Sequence, residues 1–182
     1  DPVIVLKSPR EIALMRAAGQ ILAEAMERLR TFVKPGVSTL EIDQDIEEFI
    51  RARGAKPAFK GYRGFPATVC ASVNEEVVHG IPGRRVLKPG DIVGVDIGVI
   101  VRGYHGDAAR TYAVGAITAA AQRLLDTTRE ALAAAVALVG PGVKVSTLSR
   151  AIQALAEVAG YSVVKQYVGH GIGRRLHEDP QV

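Results

Sequence analysis

Residues 91–107 leave the chain few conformational choices. Asp91-Ile92-Val93-Gly94-Val95-Asp96-Ile97-Gly98-Val99-Ile100-Val101 is rich in β-branched residues, Arg102-Gly103 reads as a turn, and Tyr104, Thr111, Tyr112 and Val114 suit a return strand. The pattern predicts a β-hairpin. Two acids lie inside it. A two-residue loop at Val101-Arg102 sets Asp96 directly opposite Asp107, a loop at Arg102-Gly103 makes them diagonal neighbours on one face, and only an odd-length loop separates them. Directly opposed residues have Cβ atoms roughly 4.5–5.5 Å apart. Carboxylates that close repel unless a proton or a cation lies between them. Solvated strand-end acids are the ordinary alternative, but the apolar, glycine-rich flanks predict burial and favour a divalent-metal site.

Helices precede the hairpin. Ser8-Pro9-Arg10-Glu11 combines an N-cap serine, proline at the first helical position and glutamate three residues after the cap. The helix it opens is expected to bury Ile12, Met15, Gly19, Leu22, Met26, Leu29 and Val33. Lys34-Pro35-Gly36 ends it, and Ser38-Thr39-Leu40-Glu41 starts a second helix through Ile42, Ile46, Phe49 and Ile50 to about Gly54. An aromatic-bearing loop spans 59–66, and 68–73 and 77–79 read as short strands. Beyond Gly115, Leu124, Leu125, Thr128, Leu132, Ala135, Val136 and Val139 predict a third helix. Leu148, Ile152, Leu155 and Val158 predict a fourth, stopped by Gly160.

The two halves share markers. Pro35-Gly36-Val37 recurs 106 residues later as Pro141-Gly142-Val143, and Ser38-Thr39-Leu40 recurs 108 residues later as Ser146-Thr147-Leu148. The repetition predicts one α+β domain with two pseudo-symmetric halves, residues 1–115 and 116–182. Extended to the full period, the second half would reach about residue 221, 39 residues past Val182. It is therefore expected to carry helices without a hairpin matching the first.

Composition narrows the class. With 48% hydrophobic and 23% charged residues in 182, the chain is an ordinary globular domain rather than a disordered one. Cys70 stands alone, which excludes an internal disulfide and suits a reducing compartment. No apolar run is long enough to span a membrane, and the run at 3–6 is too short for a secretory signal, so the expected location is cytoplasmic and no membrane partner is expected. The chain starts at Asp1 rather than Met, which reads as processing or trimming.

Four histidines are the groups best suited to chemistry near neutral pH: His79 where a strand gives way to a turn, His105 two residues before Asp107, His170 between two glycines, and His177 on a loop. Each taken singly is more often structural than functional. His177-Glu178-Asp179-Pro180-Gln181 is not H-E-x-x-H, and the glycines at 169, 171 and 173 lack the spacing of G-x-G-x-x-G. Peptide hydrolysis needs a Lewis acid, an acidified water and donors for an oxyanion. An aspartate pair with several histidines supplies most of that set.

The opening Lys7-Ser8-Pro9-Arg10-Glu11-Ile12, the run from Val69-Cys70-Ala71-Ser72-Val73-Asn74-Glu75 to His79-Gly80-Ile81-Pro82, Gly90-Asp91-Ile92-Val93 with Asp96, His105-Gly106-Asp107, and Gly169-His170-Gly171-Ile172-Gly173 with His177-Glu178 resemble, in this order, the type I methionine aminopeptidases. The resemblance implies the pita-bread fold and removal of the initiator methionine from nascent proteins and peptides. It implies two divalent ions (Co, Mn, Fe or Zn) held by Asp96, Asp107 and His170, with Asp107 bridging them. His79 and His177 would contact the scissile peptide, while Tyr62, Phe65, Cys70 and Leu176 would line the methionine pocket. Leu176 departs from the aromatic residue common there. Two further glutamate ligands of the family lie in strands beyond Val182, so the 182 residues are expected to bind metal weakly and to turn over poorly or not at all. A non-catalytic binding module and an Xaa-Pro aminopeptidase of the same fold are the alternatives. The net charge of +4, dispersed along the chain, is compatible with a ribosome as partner and offers no arm for specific nucleic-acid binding.

Overall fold

The computed structural model describes residues 4–182; Val3, the start of the short apolar run, lies outside them. The chain divides into two compact units. The larger holds Leu6–Ile117 and Ile172–His177, and the smaller holds Thr118–Gly171 and Glu178–Val182 with Ile4 and Val5.

In the larger unit both predicted capping boxes form. Helix α1 (Pro9–Phe32) starts where the Ser8 hydroxyl accepts from the Glu11 N–H and the Glu11 carboxylate accepts from the Ser8 N–H. Helix α2 (Thr39–Ala52) repeats the arrangement with Ser38 and Glu41. Such caps are each worth about 1 kcal/mol. The Ser8 N–H, the Tyr104 hydroxyl and the Ser8 hydroxyl together hold the Glu11 carboxyl down to about 2.

The buried side of α1 is Ala18, Leu22, Ala25, Met26 and Leu29. Ile12 is 45% exposed and Gly19 lies at the surface, so the expected stripe is turned away from the core at its N-terminal end. Small residues explain the turn. A Cβ added to Gly106 would lie 3.1 Å from Ala18 and 3.0 Å from Leu22, so helix and strand touch nearly backbone to backbone there.

Strands β1 (Lys56–Pro57), β2 (Val69–Val73), β3 (Ile92–Val101) and β4 (Tyr104–Ala113) make one antiparallel sheet in which β3 pairs with each of the others. Val93, Val95, Ile97 and Val99 of β3 join Leu22, Met26, Leu29, Ile42, Ile46 and Ile50 in the core. Val101 pairs with Tyr104, so the loop is Arg102-Gly103. Both loop residues have positive φ, 48° and 85°, as a type I′ hairpin requires. Residues 77–79 are not a strand. The Gly80 carbonyl accepts from the Ala71 N–H and the Gly80 N–H donates to the Ser72 hydroxyl, which folds the chain back along β2 and leaves no ladder for 77–79.

The smaller unit holds helices α3 (Ala119–Ala137) and α4 (Val145–Val158), with Gly160 at φ 84° ending the latter as expected. Strands β5 (His170–Gly171) and β6 (Glu178–Gln181) pair antiparallel. The expected α3 stripe buries little: Ala131 and Ala135 are its buried residues, Leu132 and Val136 are 59% and 62% exposed, and Val139 lies past the C-cap at Leu138.

Asp43 links α2 to the start of β2. One of its oxygens accepts from the Thr68 N–H at 2.8 Å and the Val69 N–H at 2.9 Å. Asp43→Ala strands both buried donors, and the expected loss is roughly 2–4 kcal/mol of unfolding free energy in urea. A loss below about 0.5 kcal/mol would show that these bonds do not anchor the strand.

Candidate active site

Strand parity sorts β3 into two faces. Its odd-numbered valines and Ile97 enter the core, while Gly94, Asp96, Gly98 and Ile100 take the other face. Asp107 pairs with Gly98 and Asp96 with Ala109, which makes the two acids diagonal neighbours on that face. The direct Asp96–Asp107 pairing that a Val101-Arg102 loop would have produced does not occur. Across the other edge, Cys70 of β2 stands opposite Asp96. Burial pushes the Asp96 carboxyl well above the ordinary carboxylate range, and Asp107 adds to this through its charge and a shared hydrogen bond. Burial, with the charges of Asp96, Asp107 and Asp43, pushes the Cys70 thiol up to about 12. Two neighbouring carboxyl groups on one strand face form a donor set suited to a divalent cation.

An apolar wall stands beside Asp96, which Cys70 opposes across the β2–β3 ladder. Phe59, Cys70, Leu176 and Ala58 form a small buried cluster against which Tyr62, Phe65 and Ile100 pack. Thus the four residues expected to line a methionine pocket come together in the larger unit. Phe59 and Gly98 belong to the wall but were not anticipated as site residues. A Cβ on Gly98 would sit 2.5 Å from the Phe59 ring, so only glycine admits the ring there. A glycine inside a run of β-branched residues is the available sequence signal for such an approach.

Both loop histidines are held by their neighbours. His79 has φ 61°, a left-handed conformation that costs a non-glycine residue of order 1 kcal/mol. It persists because Gly80, whose added Cβ would lie 2.3 Å from the Ala71 carbonyl oxygen, is clamped to β2. Ser72 completes that clamp, a role its sequence context did not reveal. His105 fixes the segment that carries His177: its backbone N–H and its Nδ1–H both donate to the Gly173 carbonyl, at 2.8 and 3.0 Å. Arg174 lies over the Tyr104 ring, 4.7 Å from its centroid. The Tyr62 hydroxyl is 2.9 Å from His177 Nδ1, and the two rings stack with centroids 5.5 Å apart.

His170 belongs to the smaller unit, on β5. Its Nδ1–H donates to the Gly171 carbonyl at 3.0 Å, which makes Nε2 the unprotonated nitrogen of the neutral ring. Among the described residues, no three His, Cys, Asp or Glu side chains gather into a group that could hold a metal. Asp96 and Asp107 are thus the part of the expected ligand set that the larger unit brings together.

The fold is that of a metal-dependent peptidase: residues 13–182 match metallopeptidase family M24. The chain is 52% identical over 180 residues to methionine aminopeptidase 1 of Bacillus subtilis, covering 99% of itself and 73% of that protein. It superposes on the crystal structure of a methionine aminopeptidase from Thermotoga maritima with a TM-score of 0.96 at 43% identity, over 98% of this chain and 72% of that one. An Xaa-Pro dipeptidase from Bacillus anthracis gives 0.83 at 28% identity, over 96% and 48% of the two chains. The chain belongs to family M24, among its methionine aminopeptidases, and has their pita-bread fold.

The raised Asp96 carboxyl has a thermodynamic signature. A proton held more tightly in the folded than the unfolded state stabilises fully below the ordinary value of 3.8, and that contribution is lost as pH rises toward neutrality. Chelator-treated protein should lose more urea stability between about pH 4.5 and about pH 7.5 than Asp96→Asn does. Equal losses in the two proteins would show that the pair carries no such strain.

Proposed function

We propose that this protein removes methionine from the N-termini of peptides and nascent proteins in the cytoplasm, using two divalent ions. The observation that carries the reading is the half-buried Asp96–Asp107 pair on one face of the hairpin, next to an apolar cluster that includes Tyr62, Phe65, Cys70 and Leu176. Asp96, Asp107 and His170 would hold the ions, of which Co, Mn, Fe and Zn are the candidates. When bound, such ions supply Lewis acidity and an acidified water.

The protein's own side chains do the rest. The apolar wall takes the thioether of the first residue, for which burial of a methionine side chain is worth roughly 1.5–3 kcal/mol. Leu176, smaller and more flexible than an aromatic ring, gives this wall an aliphatic contact. His79 and His177 lie on loops that strand β2 and His105 hold in place, and each offers an imidazole N–H to the scissile peptide as charge develops on its carbonyl oxygen. Donors pre-set in this way lose little orientational freedom during reaction, and one of them is commonly worth 10²–10³-fold in rate. Residues 1–115 and 116–182 are read as the two pseudo-repeats, the first supplying both aspartates and the second His170. Among the described residues no helix is long and apolar enough to cross a membrane, and the net charge of +4 suits delivery of substrate from a ribosome.

With enzyme in excess over a Met-Ala-Ser peptide and Co²⁺ or Mn²⁺ present, free methionine should appear, even at slow turnover. Chelator or Asp107→Asn should abolish its release, and Ala-Pro should not be cleaved. Release that survives both treatments would overturn the reading, and cleavage of Ala-Pro in preference would move the protein to the Xaa-Pro class.

A further inference from the structure

Among the side chains around the pocket, the Tyr62–His177 contact does something that lining a pocket does not require. The pair joins residues 115 positions apart, with hydrogen-bond length of 2.9 Å and stacked rings inclined by 29°. Each partner's backbone is fixed independently. The Tyr62 N–H donates to the Phe59 carbonyl, its own carbonyl accepts from Phe65, and the Gly61 N–H donates to the Phe65 carbonyl, so a tight turn with Arg63 at φ 48° presents the phenol. On the other side His105 pins Gly173, and buried Leu176 locks the residue before His177 into the pocket wall. What remains undetermined by the backbone is the rotation and tautomer of the imidazole. The phenol meets that remaining freedom.

We propose that Tyr62 is a positioning residue for His177, its hydroxyl donating to Nδ1 and so holding the imidazole as the neutral Nε2–H tautomer with that N–H directed away from Tyr62, toward substrate. The direction of donation follows from acid–base strength. A phenol is the stronger donor and an imidazole nitrogen the stronger acceptor, so O–H to Nδ1 is the favoured arrangement near neutral pH. Because the two ring nitrogens lie on opposite sides of the imidazole, occupying Nδ1 settles which one can donate. Both partners are at least partly exposed, where water would satisfy either group equally well, so the contact adds little to stability and its effect falls on orientation. The inference rests on the proposed role of His177 at the scissile peptide, yet its first readout needs neither metal nor turnover.

The test is a two-bond ¹⁵N–¹H correlation spectrum of histidine-labelled protein, with the His177 signals assigned by their loss in His177→Asn. The parent should show an unprotonated Nδ1 and a protonated Nε2, and Tyr62→Phe, which keeps the ring, should show a mixture of tautomers while retaining its helical circular dichroism. In the methionine-release assay the same substitution should lower kcat by roughly 3–10-fold with KM within about 2-fold, the loss expected for one neutral hydrogen bond. A protonated Nδ1 in the parent overturns the proposal, as does a tautomer unchanged by Tyr62→Phe. If His177→Asn leaves kcat intact while the tautomer behaves as described, the role of His177 in catalysis fails and the positioning by Tyr62 stands.

Discussion

Repulsion between two carboxylates governs much of what this fold must accommodate. Asp96 and Asp107 sit diagonally on one face of β3–β4 because a two-residue loop with positive φ at Arg102 and Gly103 closes the hairpin. A loop one residue longer would send one acid into the helix-packed core and the other to the opposite face. Partial burial and the neighbouring charge both disfavour ionisation of Asp96, a cost that a bound cation would offset in the proposed enzyme. The repulsion within the pair is what a cation bound there would relieve.

Keeping the acids together requires a rigid sheet, and the other face of the strands provides it. Val93, Val95, Ile97 and Val99 are fully buried against α1 and α2, while Gly106 lets α1 approach β4 closely. Core packing and site geometry are thus coupled through strand parity: a residue's neighbours in sequence belong to the other function. Gly98 illustrates the exchange across the sheet, since it gives up β-propensity so that Phe59 can close the pocket wall beside the acids.

Local rules made much of this legible. Both capping boxes, the hairpin, the stop at Gly160 and the pairing alternatives for Asp96 and Asp107 follow from residue type and spacing, because caps, turns and strand parity depend on neighbours a few residues away. The misread segments depend on distant partners. Residues 77–79 look like a strand until Gly80 is seen clamped to β2, and the Ile12 end of α1 looks buried until Gly106 and Ala18 set the helix's rotation. The same holds for the site. Ser72, Gly98, Phe59 and the hold of Tyr62 on His177 arise from contacts between segments far apart in the chain, which no spacing rule encodes.

Membership of family M24 rests on nearly the whole chain, and the 0.96 superposition on a methionine aminopeptidase rests on its backbone. The central claim concerns something smaller, the two carboxylates. Diffraction from Mn²⁺-soaked crystals, recorded where manganese scatters anomalously, tests it most directly. The account predicts an anomalous peak within bonding distance of both Asp96 and Asp107 carboxylates. Well-ordered crystals with no peak there, at manganese concentrations that fill other sites, would contradict it.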